Sequence, residues 1–168
     1  AYAAGSWALT LVVSDRHGAT ATSTTAIRAF ANLASNPSFE SAITGWNANG
    51  TVGVTVARVA GGHSGSFCVE AHPDTSLATF GVNDAPNCVA MVASAGARYR
   101  YSAWVRSDLH TGKVQLRVRE YLSGVLQGMM IVSTPVALTP AWQQIAVEVP
   151  ALTAGSPLDF QVVDKPIV

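Results

Sequence analysis

The chain has 168 residues, 49% of them hydrophobic and 12% charged, and its ten Lys and Arg balance its ten Asp and Glu. That apolar content suffices for one ordinary domain with chain to spare, and the neutral balance argues against a globally basic nucleic-acid binder. No run approaches the roughly 20 apolar residues of a membrane helix, so neither nucleic acid nor membrane is expected as a partner.

In chain order, residues 1–30 read as two strands and a turn. Trp7 to Val13 alternates, Ser14-Asp15-Arg16-His17-Gly18 turns, and Ala19 to Ile27 is a Thr-rich, β-prone return. Two strands cannot hold a core alone. The wording GSWALTLVVSDRHGATATSTTAIRAF resembles the last hairpin of a polycystic-kidney-disease (PKD) type immunoglobulin-like domain, chiefly around Leu11-Val12-Val13-Ser14-Asp15 and His17-Gly18. The chain begins in mid-pattern, without the charged-then-apolar start of a signal peptide, and is expected to be a fragment whose first 30 residues are a domain remnant.

A second unit opens near Asn32 with NLASNPSFESAITGW. This stretch resembles the opening of the CenC-like jelly-roll carbohydrate-binding modules at Asn32, Leu33, Asn36, Phe39, Glu40, Gly45 and Trp46. Strand-like runs follow at Val52 to Val59, Phe67 to Ala71, Val89 to Val92, Arg98 to Arg106, Lys113 to Leu122 and Trp142 to Val149, with a Gly61 to Gly65 turn after the first. No helical period is sustained, and Gly or Pro punctuates the chain throughout. The expected fold is therefore all-β: a jelly-roll β-sandwich of about nine antiparallel strands over residues 31–168, after an N-terminal hairpin remnant. Modules of that kind usually finish with a strand carrying Asp-Asp-Val. Here the chain runs out through Leu158 to Val168, and Pro166 cannot donate to a ladder, so a C-terminal truncation with an open sheet edge is expected.

The segment from Arg98 to Leu122 carries the sharpest pattern. Tyr99, Tyr101, Ala103 and Val105 take one phase and Arg100, Ser102, Trp104 and Arg106 the other; Val114, Leu116 and Val118 then alternate with Gln115, Arg117, Arg119 and Tyr121. A hairpin closed by Ser107 to Gly112 is the simplest joining. It would set Trp104 against Gln115, Ser102 against Arg117, and Arg100 against Arg119. Six of the ten Lys and Arg lie between 98 and 119, with only Asp108 of opposite sign among them. Like charges in register are unfavourable, so a carboxylate such as Glu148 or an external ligand must answer them.

Nothing reads as catalytic machinery. HExxH, CxxC, Gly-X-Ser-X-Gly and a phosphate-cradling loop are all absent. His17, His63, His72 and His110 sit beside turns, and sequence cannot bring any two of Glu40, Glu70, Glu120 and Glu148 to the roughly 5–9 Å of a glycosidase pair. Sugar recognition needs an aromatic ring to stack on a pyranose and planar polar groups for its hydroxyls. The expected site is Trp104 with Arg100, Gln115, Arg117 and Arg119, extended by Tyr121, Gln144 and Glu148. The arginine forks would also suit the carboxylate or sulfate of an acidic polysaccharide. The plainer alternative makes Trp104 a packing residue and the arginines a solvated face, with Trp46 a core residue.

From the resemblance come three further expectations: a polysaccharide ligand, a secreted multidomain parent with neighbouring domains as partners, and a structural Ca²⁺ held by oxygens near Glu40 and Asn36. The last-strand carboxylate that usually completes such a site has no counterpart here. Asn83 to Asn87 reads as a polar loop, either a turn or part of a site. Cys68 and Cys88 are the only cysteines, open to bridging in an oxidising compartment and to remaining thiols elsewhere. A spacer or adhesive module is the first alternative to glycan binding, a glycan-active enzyme the second, and a nucleic-acid backbone on the basic face the third.

Overall fold

A computed structural model describes residues 5–48, 51–74, 79–85, 90–109 and 112–165. These residues form thirteen strands and no helix. The chain divides into two units, Ala1–Leu33 and Ala34–Val168.

In the first unit, β1 (Gly5–Ser14) and β2 (Thr20–Ala29) pair antiparallel in unbroken register from Gly5 opposite Ala29 to Ser14 opposite Thr20. The turn is chemically determined. Asp15 Oδ1 accepts from the His17 and Ala19 backbone N–H groups at 2.8 and 2.9 Å, and Gly18 supplies the positive φ (82°) that the return requires.

The second unit contains β3 (Trp46–Asn47), β4 (Val54–Ala60), β5 (Phe67–Pro73), β6 (Gly81–Asp84), β7 (Ala90–Met91), β8 (Arg98–Val105), β9 (Lys113–Leu122), β10 (Val125–Val132), β11 (Val136–Ala137), β12 (Gln143–Pro150) and β13 (Pro157–Lys165). Seven of them form one sheet in the order β10-β9-β13-β6-β3, with β11 beside β9 and β7 beside β13. The ladders β8–β12 and β4–β5 supply the other layer. The all-β sandwich is as expected. The second unit has eleven strands where about nine were expected, and three of the eleven, β3, β7 and β11, have only two residues.

The core lies between the layers. Val114, Leu116 and Val118 of β9 and Leu158 and Phe160 of β13 meet Tyr101, Val105, Ile145 and Val149 of β8 and β12. Tyr101 stacks on Phe160 with centroids 5.1 Å apart. Trp46 is a core residue: its ring meets Phe39 and Phe160 edge-on, and its Nε1 donates to the Ser35 carbonyl at 3.0 Å.

Two expectations fail. First, β8 and β9 are not a hairpin. β8 pairs with β12, which places Gln144 opposite Trp104 and Glu148 opposite Arg100, while β9 pairs with β10, β11 and β13. Both strands turn their apolar phase to the same core from opposite layers. Strand alternation is identical for a hairpin and for strands in opposite layers, so it could not separate the two. The feared opposition of Arg100 and Arg119 never arises. Second, β13 is not an open edge: it is hydrogen-bonded to β9 on one side and to β6 and β7 on the other. Residues 166–168 lie outside the described part, as does Cys88; Cys68 carries a free thiol.

Candidate functional site

The outer face of the seven-stranded sheet is built by the strand period. With Leu116, Val118, Leu158 and Phe160 directed inward, Gln115, Arg117, Arg119 and Tyr121 of β9 and Asp159 and Gln161 of β13 must point the other way. Register then aligns them. Arg119 lies opposite Asp159, Arg117 opposite Gln161, Gln161 opposite Asn83 of β6, and Asn83 opposite Asn47 of β3. The result is a polar row across four strands, Arg117, Gln161, Asn83 and Asn47, with a shorter row Arg119–Asp159 beside it.

The rows are hydrogen-bonded and deeply set. Arg119 donates from Nε and Nη2 to Asp159 Oδ2 at 2.6 and 2.5 Å. Arg117 Nε donates to Gln161 Oε1 at 2.5 Å. Asp159 is 0% and Gln161 2% exposed, yet Asp159 Oδ1 and Gln161 Nε2 have no partner among the described residues. A buried polar atom left unused costs roughly 1–3 kcal/mol, which makes this face conspicuous. Thr51, Thr79, Gly81, Asn83, Arg117 and Gln161 line a pocket with about 40 Å³ of free volume. Gly81 lets β6 lie this close, since a Cβ there would collide with the Val162 carbonyl.

Burial, and then the Arg119 guanidinium, lower the pKa of Arg117, with Asp159 opposing; arginine nevertheless remains a cation at neutral pH. The Arg119 guanidinium sits 5.6 Å from the centre of the Tyr121 ring.

The eight expected site residues are thus divided. Gln115, Arg117, Arg119 and Tyr121 share the face just described. Trp104, Arg100, Gln144 and Glu148 lie on the β8–β12 ladder, so Trp104 does not face Gln115 or Arg117 as the hairpin register required. Glu148 pairs with Arg98 at 2.9 Å, a bond that, with the Arg98 charge, lowers its pKa. Trp104 is 43% exposed, but the His63 imidazole stacks on it at 3.8 Å and 12°. His63 also meets Trp142 edge-on at 5.9 Å, and Arg106 lies 5.3 Å over the Trp142 ring while pairing with Asp108 at 3.1 Å. One face of the expected sugar platform is therefore taken by a protein ring.

The turn that delivers His63 is tightly tied. Glu40 accepts from the Ser66 and Phe67 N–H groups at 3.2 Å each, and Gly65 leaves the space that carboxylate occupies. Asn36 has positive φ (48°) and donates from Nδ2 to the Ala42 and Thr44 carbonyls. The two residues expected to hold calcium thus serve as local clamps. Among the described residues, no three His, Cys, Asp or Glu side chains group closely enough to hold a metal. Glu120 is likewise structural, accepting from Leu152 N, Thr153 N and Ser156 Oγ at 2.8, 2.7 and 2.5 Å.

Sequence reading missed Asp159 and Gln161, and took Asn83 for a loop residue when it lies within β6. The available signal was Leu158-Asp159-Phe160-Gln161-Val162: an apolar phase with carboxylate and amide between, as Val114 to Val118 shows with glutamine and arginine.

Residues 31–153 match the family described as carbohydrate binding domain. No curated protein matches the chain. Among solved structures, the enzymatically active domain of bacteriophage CBA120 tailspike protein 4 superposes with a TM-score of 0.62 at 17% identity, covering 82% of this chain and 20% of that one. The CBM22-1–GH10 modules of Clostridium thermocellum endo-1,4-β-D-xylanase 10B, complexed with xylohexaose, give 0.62 at 18% identity over 77% of this chain and 25% of that one. The CBM22-2 xylan-binding domain from Paenibacillus barcinonensis Xyn10C gives 0.56 at 16% identity over 79% of this chain and 83% of that domain. At these identities the likeness is one of fold, and the chain spans a quarter or less of the first two structures.

Proposed function

The chain belongs to the carbohydrate binding domain family, and as a non-catalytic carbohydrate-binding module of that family we propose that it holds its polysaccharide on the outer face of the seven-stranded sheet, along Arg117, Gln161, Asn83 and Asn47. One observation carries this reading: register aligns Arg117, Gln161, Asn83 and Asn47 in one polar row across four strands, and three of them line a pocket with Thr51 and Thr79. Sugar hydroxyls both donate and accept, so a pyranose laid along the row can bond to its accessible polar edge, the Arg117 guanidinium first. Tyr121 and Gln115 extend the same face.

The test is a glycan screen that begins with xylan, since one similar structure is a xylan-binding domain and another holds xylohexaose, and includes neutral and uronic-acid polymers. Gln161→Leu and Trp104→Ala variants are run beside the wild type, each checked by circular dichroism. The expected result is saturable binding that Gln161→Leu abolishes and Trp104→Ala leaves intact. The opposite pattern would move the site to the Trp104 face, with His63 displaced by the sugar. Absence of binding by a folded protein would favour a spacer or adhesive module.

The proposal also includes a secreted multidomain parent with a PKD-type domain before this module. Its support is the resemblance of residues 5–30 and the far greater length of two of the similar structures. Appearance of the parent protein in the culture medium is the corresponding test. A structural Ca²⁺ near Glu40 and Asn36 is supported by resemblance alone, and the ion would have to compete with the N–H groups that Glu40 already serves.

A further inference from the structure

Arg119 and Arg117 stand side by side on β9 but are provided for differently. Arg119 has a buried carboxylate, and both of its short bonds go to Asp159 Oδ2. Arg117 has only the neutral amide of Gln161. Between them the two half-buried guanidinium groups share one carboxylate on this face, which leaves one positive charge in excess. Lys113, exposed at the start of the same phase of β9, adds to that sign.

The use of the Arg117 fork is equally specific. An N–H can only donate, so Gln161 must turn its Oε1 toward Arg117 Nε, and its own NH₂ then points away. Nε is thereby occupied, and neither Nη of Arg117 has a partner among the described residues. The free edge is the pair of Nη groups, whose parallel N–H bonds match the two oxygens of a carboxylate. Arg117, Gln161 and Asn83 line the same pocket with Thr51 and Thr79.

We propose that Arg117 is a specificity residue that selects glycans bearing uronic-acid carboxylates, the carboxylate bridging its two Nη groups over the pocket beside Gln161. This rests on the placement of the glycan on the seven-stranded sheet. The excess charge is partly desolvated, so a ligand carboxylate gains more there than at an exposed lysine, where water already screens the charge.

Binding of polygalacturonate, neutral xylan and dextran sulfate is compared by affinity electrophoresis and calorimetry for wild type, Arg117→Met and Arg117→Lys, with circular dichroism as the check on folding. Wild type is expected to bind polygalacturonate on the order of ten- to hundredfold more tightly than neutral xylan, as one charged hydrogen-bonded contact allows. Arg117→Met should erase that preference, polygalacturonate losing on the order of ten- to hundredfold more affinity than neutral xylan loses. Arg117→Lys should lose most of it as well, because an ammonium lacks the planar fork.

If neutral xylan binds, polygalacturonate binds no better, and Arg117→Met leaves the ratio unchanged, the inference falls while glycan binding stands. If no glycan binds a folded wild type, both fall. Dextran sulfate bound as tightly as polygalacturonate, with Arg117→Lys equal to wild type, would overturn it in favour of unspecific attraction of anions.

Discussion

Arg119→Met tests whether the buried pair beneath the proposed binding face behaves as its geometry dictates. Asp159 has no solvent exposure and receives both donors from one residue, at 2.6 and 2.5 Å. Removing one member of a buried pair leaves an uncompensated charge and costs about 3–5 kcal/mol. The Arg119 side chain keeps 21% of its surface in solvent, so water can enter where it is removed, and the lower end, about 3 kcal/mol, is the working figure. With a urea m-value of about 1–3 kcal/mol/M, the unfolding midpoint should fall by roughly 1–3 M. Asp159→Asn removes the charge and keeps the shape, at a smaller cost of about 1–2 kcal/mol. The double variant contains no buried charge and should be more stable than the sum of the single losses implies. Urea unfolding of all four proteins, followed by circular dichroism, measures the cycle. An unfolding free energy for Arg119→Met within about 1 kcal/mol of wild type, or additive single losses, would refute the reasoning.

Two further variants probe the clamps. Burial raises the pKa of Glu120, but hydrogen bonds from Ser156, Leu152 and Thr153 outweigh it and hold the carboxyl below its ordinary value. A depressed folded pKa contributes stability above the unfolded value of about 4.3 and loses it as pH falls through the folded one. Glu120→Gln should therefore cost about 1–3 kcal/mol at pH 7, and its gap from wild type should narrow below about pH 4; a gap constant from pH 7 to pH 3 would contradict the linkage. Glu40→Ala strips the acceptor from Ser66 and Phe67 and should loosen the turn that stacks His63 on Trp104, read as a change in tryptophan emission at a stability cost of about 1–2 kcal/mol. Melting of wild type and Glu40→Ala in Ca²⁺ and in EDTA decides the metal expectation: a rise with Ca²⁺ in wild type alone would support it, and no difference in either protein would remove it.

The fold class was legible because alternation and punctuation are local properties: Val114 to Val118 and Tyr99 to Val105 state their inward faces without reference to any partner. Partnership was not legible. Whether β8 pairs with β9 or lies in the other layer depends on which strand completes each sheet, and β12 and β13, which do so, lie some forty residues away in sequence. The same limit divided the candidate site. Every residue assigned to the outward phase of β9 is found there, but Trp104 belongs to another sheet, because its supposed neighbours were inferred from a turn. Asp159 and Gln161 escaped notice for a related reason. At the end of the chain an Asp and a Gln look like the solvated side of an edge strand, and only the pairing of β13 on both sides shows that they are buried.

That redistribution changes the meaning of the basic cluster between Arg98 and Arg119. As a sequence it is a concentration of positive charge on a neutral chain, and a single register would have placed all of it on one surface. The fold instead gives Arg98 to Glu148, Arg106 to Asp108 and Arg119 to Asp159. Arg100 and Lys113 are left in water, where an unpaired cation costs little and a counter-charge gains little. Arg117 alone combines partial burial, a neutral partner and a place in a pocket. A count of arginines would direct an acidic ligand to the Arg98–Arg106 strand, whose charges are exposed or already answered. The balance of burial against pairing directs it to the opposite layer, where desolvation has raised the value of one more negative group.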